Sequence, residues 1–169
     1  MVQNDTVTFS DADWATNQSD RKSVSGYAFF MFSGLVSWSS SKQKETALSS
    51  AEAEYMAITH VSKEALWIKL FCRSIGLTFP RPLMLLSDNQ SAIDMTKSKT
   101  VSSHVKHIDI RYHFICDHVA EGTISVKWIP TDDMTADIFT KPLPLPLHLC
   151  HSSSLGLLEL SSEPNTTTN

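Results

Sequence analysis

Between Ser49 and Gly76 the chain carries one long helical pattern whose apolar positions fall on a single stripe. At 100° per residue, Ile58, Val61, Ala65, Ile68 and Cys72 all lie within about 40° of the direction of Glu54. Such a stripe buries one face of the helix against a partner element. A carboxylate therefore leads a face that should be dry. Ser49 or Ser50 is the expected N-cap, and Gly76 the stop.

The partner element is legible on either side. Residues 7–10 alternate apolar and polar, as a half-buried strand does, and run into Asp11. Residues 26–32 are an aromatic-rich second strand, Ser33-Gly34 a tight turn, and residues 35–38 a third strand, which together make a hairpin. A polar loop with Lys42 and Lys44 spans 39–46. After Pro80 and Pro82, Leu83-Met84-Leu85-Leu86 is a continuous apolar run typical of a buried central strand, closing at Ser87-Asp88-Asn89. Residues 90–97 form a short helix, 105–120 a second long helix, 123–129 a fifth strand, and 131 to Pro142 a last short helix with Thr131 as N-cap. The order β-β-β-α-β-α-α-β-α predicts an α/β fold with a mixed sheet, antiparallel at one edge and parallel at the other. Expected boundaries are a leader over 1–5, one domain over 6–142, and a loosely packed or disordered tail over 143–169.

Composition removes several alternatives. The 169 residues are 41% apolar and 19% charged, which is globular rather than disordered. A net charge of −4 excludes a protein that grips nucleic acid by bulk positive charge, though not an enzyme whose acids hold metal ions. Cys72, Cys116 and Cys150 are too few and too far apart for a disulfide framework or a cysteine zinc site. No run approaches 18 apolar residues and nothing reads as a signal peptide, so a membrane or secretory role is not expected.

Four acids stand where an acid is costly. Asp11 ends the first strand, Glu54 leads the buried stripe, Asp88 ends the central strand, and Asp137 sits beside Ile138 and Phe139 in the last helix. Taken singly, each reads more readily as a turn, cap or helix-dipole residue. Together, buried carboxylates persist when cations neutralise them. An all-oxygen donor set suits Mg²⁺ or Mn²⁺, and strand ends are where an open α/β sheet places its site.

Seven blocks then occur in order: Ser10-Asp11-Ala12-Asp13-Trp14-Ala15, Arg21-Lys22-Ser23-Val24-Ser25-Gly26-Tyr27, Ser37-Trp38-Ser39-Ser40, Ala47-Leu48-Ser49-Ser50-Ala51-Glu52-Ala53-Glu54-Tyr55, Asp88-Asn89-Gln90-Ser91-Ala92-Ile93, Lys106-His107-Ile108-Asp109-Ile110-Arg111-Tyr112-His113-Phe114 and Ala136-Asp137-Ile138-Phe139-Thr140-Lys141-Pro142-Leu143. Block by block, the chain resembles the ribonuclease H domain of copia-type LTR-retrotransposon Pol polyproteins. The resemblance implies a ribonuclease H-like fold, a five-stranded mixed sheet flanked by helices. It also implies metal-dependent endonucleolytic cleavage of the RNA strand of an RNA–DNA hybrid. Asp11, Glu54, Asp88 and Asp137 match the family's catalytic, metal-holding acids. Two Mg²⁺ or Mn²⁺ ions about 3.5–4 Å apart would serve an in-line displacement. The implied partners are the hybrid and, in the parent polyprotein, a reverse transcriptase polymerase domain. The isolated domain is expected to be a monomer, cytoplasmic in a virus-like particle or nuclear. No Tyr-x-Asp-Asp motif occurs, so the chain is expected to be the C-terminal piece of such a polyprotein or the product of a decayed element, whose fold then serves as an inert binding module. The histidine that many ribonucleases H carry before the last helix is absent from residues 128–137.

Neighbouring acids separate by geometry. Glu52 lies about 200° from Glu54 around the helix and should be hydrated. Asp133 is four residues before Asp137 and is expected to assist through water. His107 and His113, six apart, are a poor zinc pair. Hybrid binding is assigned to local patches: Arg21 and Lys22, Lys42 and Lys44, and Lys97, Lys99 and Lys106. Lys63 and Lys69 are expected to be solvated charges. Trp14, Trp38, Trp67 and Trp128 are expected in the core or at its shoulder, with Trp38 a second choice for nucleic-acid contact.

Overall fold

The computed structural model describes residues 6–15, 19–79, 82–98 and 109–157, with 109–112 described by backbone alone. Its strands are β1 (Thr6–Asp13), β2 (Val24–Met31), β3 (Gly34–Lys42), β4 (Leu83–Ser87) and β5 (Ile124–Trp128). Its helices are α1 (Ser50–Ser74), α2 (Gln90–Lys97), α3 (Asp109–Ala120) and α4 (Leu145–Ser154), with two 3₁₀ turns at Thr131–Asp133 and Thr135–Phe139. The five strands form one sheet in the order β3-β2-β1-β4-β5. β3, β2 and β1 are antiparallel, whereas β1, β4 and β5 are parallel. This is the mixed sheet that the element order predicts.

Alternation along each strand sorts the residues by face. Thr8, Phe29, Leu85 and Val126 lie in one cross-strand row and are all buried. Tyr55, Ile58, Val61 and Ala65 of α1, Ile93 of α2 and Ile115 of α3 complete that core. The opposite face holds Val7, Phe9, Phe30, Met84 and Leu86, each half-buried, with Phe9 and Phe30 edge to face at 5.8 Å. The stripe on α1 is where periodicity placed it, since Glu54, Ile58, Val61, Ala65, Ile68 and Cys72 are all buried. Ser49 is the N-cap, its Oγ accepting from the Glu52 N–H, and Glu52 Oε2 accepts from the Leu48 N–H. That reciprocal arrangement ties down two otherwise orphaned donors. At the other end Gly76 takes φ +84°, and the Leu77 N–H reaches back to the Cys72 carbonyl, closing a Schellman motif.

Several expectations are corrected. β3 does not stop at Trp38 but continues through Lys42, because β2 offers partners for Ser39, Ser40 and Ser41 despite their weak strand preference. The hairpin turn falls one residue early, with Phe32 and Ser33 both in the left-handed region at φ 53° and 66°. The last helix is two 3₁₀ turns broken at Met134, and Thr131 is not an N-cap but lies inside the first turn. Residues 145–154, expected in a loose tail, form α4, which docks on the second 3₁₀ turn and buries His151. Proline costs a helix nothing in its first turn, so Leu-Pro-Leu-Pro starts this helix rather than preventing it. The tryptophans are not core: Trp14, Trp38, Trp67 and Trp128 are 44%, 59%, 60% and 55% exposed. Residues 1–5, the expected helix start at 105–108 and residues 158–169 lie outside the described residues. Among the described residues no helix is long and apolar enough to cross a membrane.

Candidate metal centre

β1 and β4 are parallel neighbours, so the C-terminal end of β1 and the residue just past β4 sit side by side. Asp11 and Asp88 occupy those places, and Glu54 reaches them from the first turns of α1. One carboxylate oxygen from each of Asp11, Glu54 and Asp88 lies within 4.8 Å of the others. Each acid is held by a neighbour. Glu54 Oε1 accepts from the Ala12 N–H at 3.1 Å, which fixes its rotamer and leaves Oε2 buried with no hydrogen-bond partner among the described residues. Thr131 Oγ1 donates to Asp88 Oδ2 at 2.7 Å, and the Trp128 indole N–H donates to the Asp88 carbonyl at 3.1 Å. Thr140 Oγ1 donates to Asp11 Oδ2.

Asp137 joins the cluster through Asp11. Lys141 Nζ lies 3.0 Å from Asp137 Oδ1 and 3.7 Å from Asp11 Oδ2. Asp137 Oδ1 makes no hydrogen bond of good geometry, so its contact with Lys141 is one of charge. What lets the second 3₁₀ turn come this close is Gly26, the cross-strand partner of Asp11. A Cβ there would stand 2.6 Å from Thr140 Cγ2, 2.9 Å from Phe139 Cβ and 3.1 Å from the Ala136 carbonyl. No side chain fits that space, and only glycine permits the approach.

The electrostatics follow from burial and from like charges. Burial, then the charges of Asp11 and Asp88, push the Glu54 carboxyl up to about 10. Burial, then Asp11, push Asp137 up to about 7, although Lys141 opposes the rise. For Lys141 burial disfavours the charge, but the carboxylates of Asp11, Asp137 and Asp88 outweigh it and its pKa goes up. Burial and like charge thus both act against ionising Glu54 and Asp137. An all-carboxylate donor set with one orphaned, buried oxygen fits a hard divalent cation.

The other candidates separate from this centre. Asp133 is exposed and stands outside the three-acid cluster; its charge acts on the buried His151 imidazole. Glu52 is a capping residue. Arg21, Lys44 and Lys97 are exposed, and Lys22 is half-buried. Lys42 is ion-paired with Asp20 at 2.7 Å. Together with Lys63 and His60, Lys42 and Lys44 line a cleft of about 420 Å³ between β3 and α1, and none of the four acids borders it. Lys63 is exposed, as expected, at the rim of this cleft. Lys99, Lys106 and His107 lie outside the described residues, as does the side chain of Arg111. Sequence reasoning missed Thr131, Thr140, Lys141 and the close approach at Gly26. The one local signal was the Asp137–Lys141 spacing of four.

No protein-family model matches the chain. Over 136 residues, 80% of its length, it is 41% identical to the retrovirus-related Pol polyprotein from transposon TNT 1-94 of Nicotiana tabacum. Over 149 residues, 88% of its length, it is 37% identical to that from transposon RE1 of Arabidopsis thaliana. The chain spans about a tenth of the length of these relatives. Among solved structures it is similar to LC11-RNase H1, isolated from compost by a metagenomic approach, with a TM-score of 0.60 and 15% identity over 81% of this chain and 93% of that one. The complex of LC11-RNase H1 with RNA/DNA hybrid matches with a TM-score of 0.58 and 14% identity, covering 80% and 93%. The foamy viral protease-reverse transcriptase in complex with dsDNA matches with a TM-score of 0.54 and 16% identity, covering 82% and 93%. The chain is therefore a homologue of one segment of the retrovirus-related Pol polyproteins of plant transposons, and its fold is that of ribonuclease H.

Proposed function

We propose that this chain is a divalent-metal-dependent ribonuclease H, cleaving the RNA strand of RNA–DNA hybrids as part of a copia-type retrotransposon Pol polyprotein. The observation that carries the reading is the convergence of Asp11, Glu54 and Asp88, from three separate elements, around the orphaned Oε2 of Glu54. In this reading Asp11, Glu54 and Asp88 would hold one Mg²⁺ or Mn²⁺ ion, and Asp137 would join Asp11 in holding a second. Bound there, such ions supply Lewis acidity toward a phosphodiester and make water a better nucleophile.

The chain's own residues do the positioning. The Ala12 N–H aims Glu54, the Thr131 hydroxyl and the Trp128 indole fix Asp88, and Thr140 fixes Asp11. Because these groups sit on the sheet and on turns packed against it, the carboxylates are preorganised. The backbone of the hybrid would be steered by exposed cations, with Arg21, between β1 and β2, and Lys97, at the C-terminal end of α2, as candidates. A second reading, an inert module that binds nucleic acid without cutting it, draws on the missing histidine in residues 128–137.

One assay decides between them: release of end-labelled RNA from an RNA–DNA hybrid, with RNA–RNA and DNA–DNA duplexes as controls. The proposal expects release from the hybrid alone, dependent on Mg²⁺ or Mn²⁺ and abolished by EDTA. A folded chain that retains the hybrid and releases nothing with either metal is the inert module. Equal cutting of DNA–DNA duplex would make it a different nuclease.

A further inference from the structure

The cluster has a cation of its own. Lys141 extends from just beyond the second 3₁₀ turn, and its side chain is 32% exposed while those of Asp11 and Asp137 are 2% exposed. Its ammonium thus meets buried carboxylates at the end of a stem that still opens to solvent. It bridges Asp11 and Asp137, a pair that lies outside the three-acid group.

We propose that the Lys141 ammonium is the resident counter-ion of the Asp11–Asp137 edge, and that a divalent ion must displace it to occupy that edge. The inference rests on the metal-centre reading above. Three features support it. The ammonium is 3.0 Å and 3.7 Å from oxygens of the two acids, so a divalent ion bound to the same oxygens would face a like charge no more than about 5 Å away, across a buried and poorly screened gap. Apart from this ammonium, Asp137 Oδ1 has no hydrogen-bond partner among the described residues, so no other contact must break for an ion to take its place. The stem is flexible and partly solvated, which gives the ammonium somewhere to go. Lys141 is then a positioning residue that keeps the acids together without metal, and a competitor that weakens metal binding.

The test uses Mn²⁺ titration calorimetry and thermal unfolding in EDTA on the full chain at pH 7.5. Lys141→Met should bind Mn²⁺ at least tenfold more tightly than wild type, yet unfold several degrees lower in EDTA. Lys141→Arg, whose fork grips two carboxylates better, should bind Mn²⁺ at least threefold more weakly. Lys69→Met, which removes a cation from the outer part of α1, should change affinity less than twofold. A purely structural lysine would not give tighter binding on removal. The proposal is overturned if wild type binds Mn²⁺ and Lys141→Met binds it no better. If Lys141→Met does not fold, Lys141→Arg binding as well as wild type overturns it. A wild-type chain that binds no Mn²⁺ refutes instead the metal-centre reading on which the proposal stands.

Discussion

Glu54→Gln, studied without divalent ions, should stabilise the folded chain at alkaline pH while removing cleavage. In the folded chain burial, then the charges of Asp11 and Asp88, raise the Glu54 carboxyl from 4.5 to about 10. Between those values the folded state keeps a proton that the unfolded state has released. The stability associated with that proton is complete below about pH 4.5 and is lost as pH rises toward 10, at up to about 1.4 kcal/mol per pH unit. At pH 9 the full window is about six kcal/mol as an upper bound, and relaxation with water entry brings the expected cost to about 2–4 kcal/mol. The amide removes this titration. It keeps an acceptor for the Ala12 N–H and puts a donor where Oε2 now has no partner, facing Asp11 and Asp88. Urea unfolding in EDTA at pH 7 and pH 9 reads the difference, because Asp137, raised to about 7, is already half ionised at pH 7 and adds only about 0.4 kcal/mol to the change in either chain. Wild type should lose up to about 2.7 kcal/mol more than the variant between the two. Saturating Mg²⁺ should flatten the wild-type slope. Equal slopes in the two chains, or a variant less stable than wild type at pH 9, would refute the assignment of Glu54 as a buried, repelled acid.

Further outcomes follow from the same geometry. Gly26→Ala places a methyl group 2.6 Å from Thr140 Cγ2, so it should cost about 1–3 kcal/mol in urea unfolding and cut hybrid cleavage by moving Asp137 away from Asp11. Unchanged stability would mean that the second 3₁₀ turn gives way freely. Asp88→Asn should abolish Mg²⁺-dependent cleavage and leave metal-free stability within about 1 kcal/mol, since the amide oxygen still accepts from Thr131 and one repelling charge is gone. A large stability loss with cleavage retained would make Asp88 a structural residue. Glu52→Gln keeps an acceptor for the Leu48 N–H and should change cleavage less than about threefold, a barrier shift under about 0.7 kcal/mol. Losses matching those of Glu54→Gln would overturn the assignment of faces on α1.

What the sequence disclosed was mostly local. The stripe on α1 follows from a single angular rule, and Ser49 and Gly76 bound it through hydrogen bonds within a few residues. α2 was placed residue for residue, because the Asn89 side chain caps it on the Ala92 N–H. The tight run at 83–86 announced a central strand, and with it the position of Asp88 at the strand end. Tertiary partners decided the remainder. Ser39 to Ser41 extend β3 only because β2 lies alongside. Trp128 reads as core by type, yet it lies 55% exposed with its indole N–H tied to the Asp88 carbonyl, a contact across 40 residues. Thr131 looked like a cap, and its hydroxyl is taken by Asp88 instead.

The misreadings share a cause that bears on function. Thr131, Thr140, Trp128 and Lys141 were assigned ordinary local duties, or none, and each in fact serves an acidic residue far away in sequence, three of them at its carboxylate and Trp128 at the Asp88 backbone carbonyl. A buried acid needs donors around it, and the donors come from whichever element lies nearest in space. Here that element is the segment after β5, which supplies two hydroxyls, an ammonium and the fourth acid within eleven residues, from Thr131 to Lys141. Two short 3₁₀ turns with a break at Met134 can change direction between them, so Thr131 and Asp137 need not lie on one face of a single helix. The departure from the expected last helix is therefore what lets one short segment serve both Asp88, beyond β4, and Asp11, on β1. The glycine at position 26 makes room for that segment, so the least conspicuous residue near the site sets the distance between Asp11 and Asp137.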